Sequence, residues 1–265
     1  MKIPLLKNKE TKQMSNKKEN ITTPKKPITL DIIRKKPEIA ELIKAANEYL
    51  RIRGYTEHGL RHVGFVSKTT TNILKELNYD ERTIELGAIA GWIHDIGNAV
   101  NRKNHGLIGA SMAYGILTKI GMPASEVCAI IGAIGNHEEE NGIPVNCVSA
   151  ALILADKADA HRTRVRATII RENDIHDRVN YAIKKNYLSI DAQNKVIKLV
   201  IFMDSSSSVM DYLQIYLSRM VLSEQAAEFL GCKFELVINN TVINSHSKTP
   251  VPNVQSDTEV KVSTD

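Results

Sequence analysis

Cysteine is scarce in this sequence: there are three, at Cys128, Cys147 and Cys232, an odd number with no CxxC spacing. That pattern fits a reduced, cytoplasmic setting better than a disulfide framework. Long apolar runs are missing too. No window approaches the roughly 18 uninterrupted apolar residues that a membrane span needs. The lysine-bearing start lacks an apolar stretch with a small-residue cleavage site, so no secretion signal is expected either. Internal repeats are likewise not visible.

What is present is ordinary for a folded soluble chain. Of 265 residues, 43% are apolar and 25% charged, which excludes a wholly disordered chain and allows one substantial core plus an accessory region. The net charge of +5 is unevenly spread: residues 1–36 hold eleven Lys or Arg against three acids. This arm has no aromatic residue up to residue 30 on which a base could stack, so it reads as a solvated, disordered segment and gives no strong nucleic-acid signal.

Residues 1–30 are therefore expected to be a basic arm, ending at the prolines of "TTPKKPITLD". From there apolar residues recur at helical spacing in "PEIAELIKAANEYL", "GLRHVGFVSKTTTNILKEL", "DERTIELGAIAGWIHDIG", "HGLIGASMAYGILTKIG", "ASEVCAIIGAIGNHEE" and "VSAALILADKADAHRTRVR". The turn signals at 78–80, 121–123 and 142–144 separate them. A further helix is predicted over 174–187, capped by Asp174, which closes a helical bundle spanning 31–187. Beyond it "KVIKLVIFMD" and "CKFELVIN" read as strands flanking a long helix, a small α/β appendage over 188–244. Its Met203, Met210 and Met220 are core or a dimer surface. Residues 245–265 are expected to fray. The fold class is mostly α, a bundle with a small C-terminal α/β appendage.

The chemistry lies in polar residues where a core wants apolar ones. "GWIHDIGN" ends an apolar helix with His94 and Asp95, and a buried carboxylate beside an imidazole is costly unless something pairs with it. His58 and His62 are four residues apart, His105 opens a helix, His137 ends one, and Asp156 interrupts "ALILADKA". Singly, a histidine at a helix end is more often a partner of the last carbonyls. Jointly these residues are ligand types suited to Zn, Fe, Mn or Ni, and helices projecting them inward are a common way to build a two-metal site.

The order His62, then His94–Asp95 with "IGN", then His105 in "HGLIGA", His137 in "NHEE" and Asp156 in "ILADKAD" resembles the HD-domain metal-dependent phosphohydrolase superfamily over roughly residues 55–168. A second "HD", His176–Asp177, lacks the apolar lead-in and reads as a helix start. The resemblance implies an HD-domain helical bundle in which His62, His94, Asp95 and Asp156 hold one metal. His105 and His137 would add a second, as in the dinuclear branch, where the Asp of the HD pair bridges the ions. His58 stands where the cyclic-dinucleotide-cleaving branch carries a Glu, and would be a supplementary ligand or substrate contact. Asn98 in place of the lysine that often follows "HDIG", "NHE" in place of "HHE", and the absence of a GYP segment argue against a standard cyclic-di-GMP phosphodiesterase. The "ADK" segment is similar to that of HD-type dinucleoside tetraphosphatases.

By that resemblance the cofactors would be two divalent transition metals (Fe, Mn, Ni or similar, or Mg). They would activate a water against a phosphoester or phosphoanhydride of a small phosphorylated substrate such as a nucleotide or dinucleotide. Asp95 would orient the nucleophile and Lys157 would assist. Arg61, Lys157, Arg162, Arg164 and Arg166 would clamp phosphate oxygens, with Glu138 and Glu139 as supporting acids. Two other classes share these features: a catalytically silent nucleotide sensor signalling through the appendage, and a di-iron oxygenase.

Overall fold

The computed structural model describes residues 26–166 and 174–244. Most of the basic arm and the tail over 245–265 lie outside the described residues. A short helix, α1 (Leu30–Arg34), and a longer one, α2 (Pro37–Ile52), lead into α3 (Leu60–Glu76), α4 (Glu81–Ile93), α5 (His105–Lys119), α6 (Ala124–Gly135) and α7 (Cys147–Lys157). Pro37 opens α2 at a position where its missing N–H is not needed. Asp80 caps α4 by accepting from Thr83 N, and Asn146 caps α7 by accepting from Ser149 N at 2.7 Å, contacts worth about 1 kcal/mol each.

The helix α7 is the axis of the bundle. Every residue from Val148 to Ala155 is buried, because α3, α4 and α6 enclose it on one side and α9 (Val209–Phe229) on the other. A helix surrounded in this way needs apolar residues all round, which "VSAALILA" supplies.

The helix predicted over 174–187 is shorter than expected. Asp174 caps it as anticipated, accepting from His176 N at 2.9 Å, but this helix, α8, spans Ile175–Ala182 and Ile183–Asp191 is strand β1. Pairing decides the outcome: β1 runs antiparallel to β2 (Val196–Met203) along nearly its whole length. Those ladder bonds outweigh the helix propensity of its lysines. The α/β unit therefore begins at Ile183.

From β2 the chain crosses through α9 to β3 (Lys233–Ile238), parallel to β2, and a tight turn at Asn239 and Asn240 leads to β4 (Thr241–Val242). Both asparagines have positive φ, 47° and 66°, as the tightest hairpin turns require. The sheet order is β1-β2-β3-β4. Met203 and Met220 are buried, whereas Met210 is 72% exposed on α9. Because α9 packs on both α7 and β3, the sheet and bundle share one apolar core. No helix among the described residues is long and apolar enough to cross a membrane.

Candidate metal centre

Two glycines let the "GWIHDIGN" segment bring its polar pair inward. A Cβ on Gly91 would lie 2.7 Å from Ser67 Cα, so the backbones of α4 and α3 can approach this closely there because Gly91 has none. A Cβ on Gly97 would fall 2.0 Å from the carbonyl oxygen of His105, so the 3-10 turn Ile96–Ala99 presses directly on the start of α5. His94 and Asp95, at the end of α4, thereby meet His105 at the start of α5. His137 arrives from the end of α6, His62 from the first turn of α3, and Asp156 from the last turn of α7.

Their donor atoms form two groups joined by one carboxylate. In the first, His62 Nε2 lies 3.2 Å from His94 Nε2 and 3.3 Å from Asp156 Oδ1. Asp95 Oδ2 is 3.6 Å from both imidazoles. In the second, His105 Nε2 lies 3.1 Å from His137 Nε2, and Asp95 Oδ1 is 3.3 Å and 3.7 Å from the two. His62, His94 and Asp156, and likewise His94, Asp95 and His137, have ligand atoms close enough together to hold a metal ion.

The chemistry of the donors fits such ions. Each of the four rings offers Nδ1 to an acceptor: His62 to Asp159 Oδ2 at 2.6 Å, His94 to Gly91 O at 3.0 Å, His105 to Arg102 O at 2.9 Å, and His137 to Ile134 O at 2.6 Å. That fixes the tautomer and turns Nε2 lone pairs toward each other, an arrangement only a proton or a cation between them relieves. Asp95 Oδ2 is buried with no hydrogen-bond partner among the described residues, although a buried carboxylate oxygen without one is costly. Asp95 Oδ1, by contrast, accepts from Asn98 Nδ2 at 2.9 Å.

The electrostatics agree. Burial alone would raise the Asp95 carboxyl, yet His94, His105 and His137 hold it well below the carboxylate range. Asp156 is likewise held down against its burial, by Lys157, His62 and His94. Burial works against a charged His105, but hydrogen bonds to Asp95 and Glu138 raise it to about 9. Burial and the Arg164 charge also oppose protonation of His62, and its bonds to Asp156 and Asp159 overcome them. A field that draws protons to these nitrogens draws divalent cations to the same place.

His58 is not on α3, which begins only at Leu60. Its ring still comes within 5.2 Å of the His62 ring. Its Nδ1 faces Thr56 O at 2.7 Å and its Nε2 accepts from Arg164 Nη2 at 2.9 Å. Burial, reinforced by the Arg164 charge, keeps this imidazole neutral, well below its ordinary range.

The basic residues expected to clamp phosphate are largely engaged by the fold. Arg61 forms a fork on Asp159, at 2.7 and 3.1 Å, and meets Glu57 at 2.8 Å. Arg162 meets Tyr181 O and Asp204, and Arg166 meets Asn47 together with Tyr55 O and Thr56 O. Lys157 is buried between Asp156 at 2.7 Å and Glu139 at 3.1 Å. Glu138 accepts from Gly106 N and faces His105 Nδ1. His176 and Asp177 sit in the first turn of α8, outside both donor groups.

Sequence reasoning missed three participants. Asp159, which orients His62, is three residues after Asp156 in the quoted "ADKAD", a spacing that could have drawn notice. Arg102 precedes His105 by three residues and lies 3.4 Å from its Nε2. Arg219, on α9, binds Glu139 at 2.9 Å and stacks on Tyr216; no local signal marks a residue so far along the chain. Two cavities open beside the centre, of about 310 Å³ and about 390 Å³, the second reaching His105 and Glu138.

Part of the chain is similar to the solved structure of a predicted HD superfamily hydrolase from an uncultured Thermotogales bacterium. The identity is 23% and the TM-score 0.38, covering 49% of this chain and 73% of that one. No family model matches the sequence. No curated protein matches it either.

Proposed function

We propose that the chain is a phosphohydrolase of the HD superfamily with a dinuclear metal centre, acting on a phosphoester or phosphoanhydride of a small molecule such as a nucleotide. The observation that carries this reading is Asp95, whose two oxygens face two separate sets of imidazole nitrogens. His62, His94, Asp156 and Asp95 would hold one cation, and His105, His137 and Asp95 the other. Four imidazoles favour Mn, Fe, Ni or a similar ion over Mg, whose preferred partners are oxygens. Two such cations supply Lewis-acid charge to a phosphoryl oxygen and lower the pKa of a water to near neutrality.

The chain's own residues set the geometry in which this happens. Asp159 holds the His62 ring and is itself held by Arg61 and by Arg164, whose Nη1 lies 3.7 Å away. Asn98 fixes the orientation of the bridging carboxylate. Lys157 neutralises Asp156 and Glu139, so these two acids can share this small volume without one taking up a proton. We assign Arg61, Arg162, Arg164 and Arg166, each engaged by the fold, to holding the rim in place, and Lys157 to balancing the acids beside it. His58 acts on Arg164 as an acceptor and supplements the centre from outside.

The test is a panel of phosphomonoesters, phosphodiesters and nucleoside polyphosphates incubated with protein reconstituted with Mn or Fe. Release of phosphate or nucleotide that stops on chelation and is lost in Asp95→Ala supports the assignment. Tight nucleotide binding without turnover of any member would replace it with the sensor reading.

A further inference from the structure

The cavity of about 310 Å³ is bounded by the α2–α3 loop, α8 and α9, and it falls at the small end of the range of small-molecule sites, roughly 300–1,000 Å³. Among the described residues four arginines line it, Arg53, Arg102, Arg164 and Arg219, against two acids, Asp174 and Asp177. Asp174 already serves as the cap of α8. Arg219 is matched by Glu139, and Arg164 is spent on His58 and on the Asp159 carbonyl. Arg53 and Arg102 are different. Their guanidinium carbons lie 5.7 Å and 5.6 Å from the centroid of one ring, Tyr55, and neither meets a carboxylate among the described residues. Two like charges gathered at one aromatic ring are favourable when an anion joins them.

None of His62, His94, Asp95, His137 or Asp156 lines this cavity. An anion there is therefore not the group held at the metal pair. It is nevertheless near: Arg102 reaches within 3.4 Å of His105 Nε2, and Arg53, Tyr55 and Arg102 also line the neighbouring cavity that contains His105. We propose that the Arg53–Tyr55–Arg102 cavity is a subsite for a second anionic group of the ligand, a phosphate other than the one presented to the metal centre. The preferred ligand is then a di- or polyphosphorylated small molecule and not a simple monoester. This rests on the phosphohydrolase reading for the place of the first phosphate, but the subsite can be measured without turnover.

The experiment is isothermal titration of inorganic tripolyphosphate into the full chain after metal removal, in wild type, Arg53→Ala and Arg53→Lys. Arg53 is exposed, so its replacement leaves the core intact. The expected result is one site per chain, weakened by salt, about tenfold or more weaker in Arg53→Ala and partly restored in Arg53→Lys. No binding, or an affinity indifferent to Arg53→Ala, overturns the proposal. With metal-loaded protein, kcat/KM for a nucleoside diphosphate relative to phenyl phosphate should fall about tenfold in Arg53→Ala; equal losses on both substrates overturn it. Tripolyphosphate binding that depends on Arg53, with no phosphoester cleaved at all, supports the subsite and sinks the hydrolase reading instead.

Discussion

His62 and His94 face each other through their Nε2 atoms across 3.2 Å, while the Nδ1 of each is turned to an acceptor, Asp159 for one and Gly91 O for the other. Two nitrogens so arranged in a buried place are what a cation site requires, and the matching pair His105 and His137 repeats the arrangement across Asp95. The consequences can be measured one at a time.

Among the described residues Asp95 is the only carboxylate shared by the two donor groups, so Asp95→Asn should empty both positions and abolish turnover. Asp177→Asn, at the other HD dipeptide, should leave metal content at the wild-type level. Elemental analysis of the purified variants decides this; equal metal loss in both would mean that the wrong HD pair has been assigned.

Asp159→Asn removes the charged acceptor behind His62 and leaves Arg61 and Arg164 without their buried counterion. Affinity at the His62 position should fall about 10–100-fold. Folding stability should drop by about 3–5 kcal/mol, the usual cost of breaking a buried ion pair. Titration with a metal-competing dye should then resolve one weakened and one nearly normal site. Uniform weakening of both would contradict the separate roles given to the two groups.

At Gly97, alanine must displace the His105 carbonyl, since its Cβ would lie 2.0 Å from that oxygen. Overpacking of this kind costs about 1–3 kcal/mol. It should shift His105 off the second group as well, so the variant is expected to lose stability by urea denaturation and to lose one equivalent of metal. Full stoichiometry at wild-type stability would show that the close approach is not needed.

His105 gives a pH signature because its folded-state pKa, about 9, lies above its ordinary value of 6.5. In metal-free protein the stability contributed by its proton is fully present below the ordinary value and is lost as pH rises through about 9. Metal binding at neutral pH must expel that proton. Calorimetry of metal binding near pH 7.5 in buffers of different ionisation enthalpy should therefore show net proton release, reduced in His105→Gln. Buffer-independent heats would contradict the placement of His105 as a ligand.

Most of the bundle was legible because its helices carry apolar stripes between clear turn signals, and the ligand candidates stood out as polar residues in those stripes. The boundary at Ala182 was not legible. The segment "YAIKKNY" suits a helix locally, and only pairing of β1 with β2 makes Ile183–Asp191 a strand. The same limit explains the arginines. A guanidinium beside a ligand in sequence looks free to take phosphate, but Arg61 finds Asp159 98 residues away and Arg166 finds Asn47 119 residues away. Pairing between distant segments has no periodicity to betray it. Arg53 and Arg102, by contrast, are notable for meeting no carboxylate among the described residues, a property that exists only once the chain is folded.

On the proposed function Asp95 would bridge two cations. Anomalous diffraction from crystals grown with Mn, recorded on both sides of an accessible metal edge, tests it most directly. Two peaks about 3.5–4 Å apart are expected, one among His62, His94 and Asp156 and one beside His105 and His137, with an Asp95 oxygen on each. A single peak, or two peaks that do not share Asp95, would contradict it.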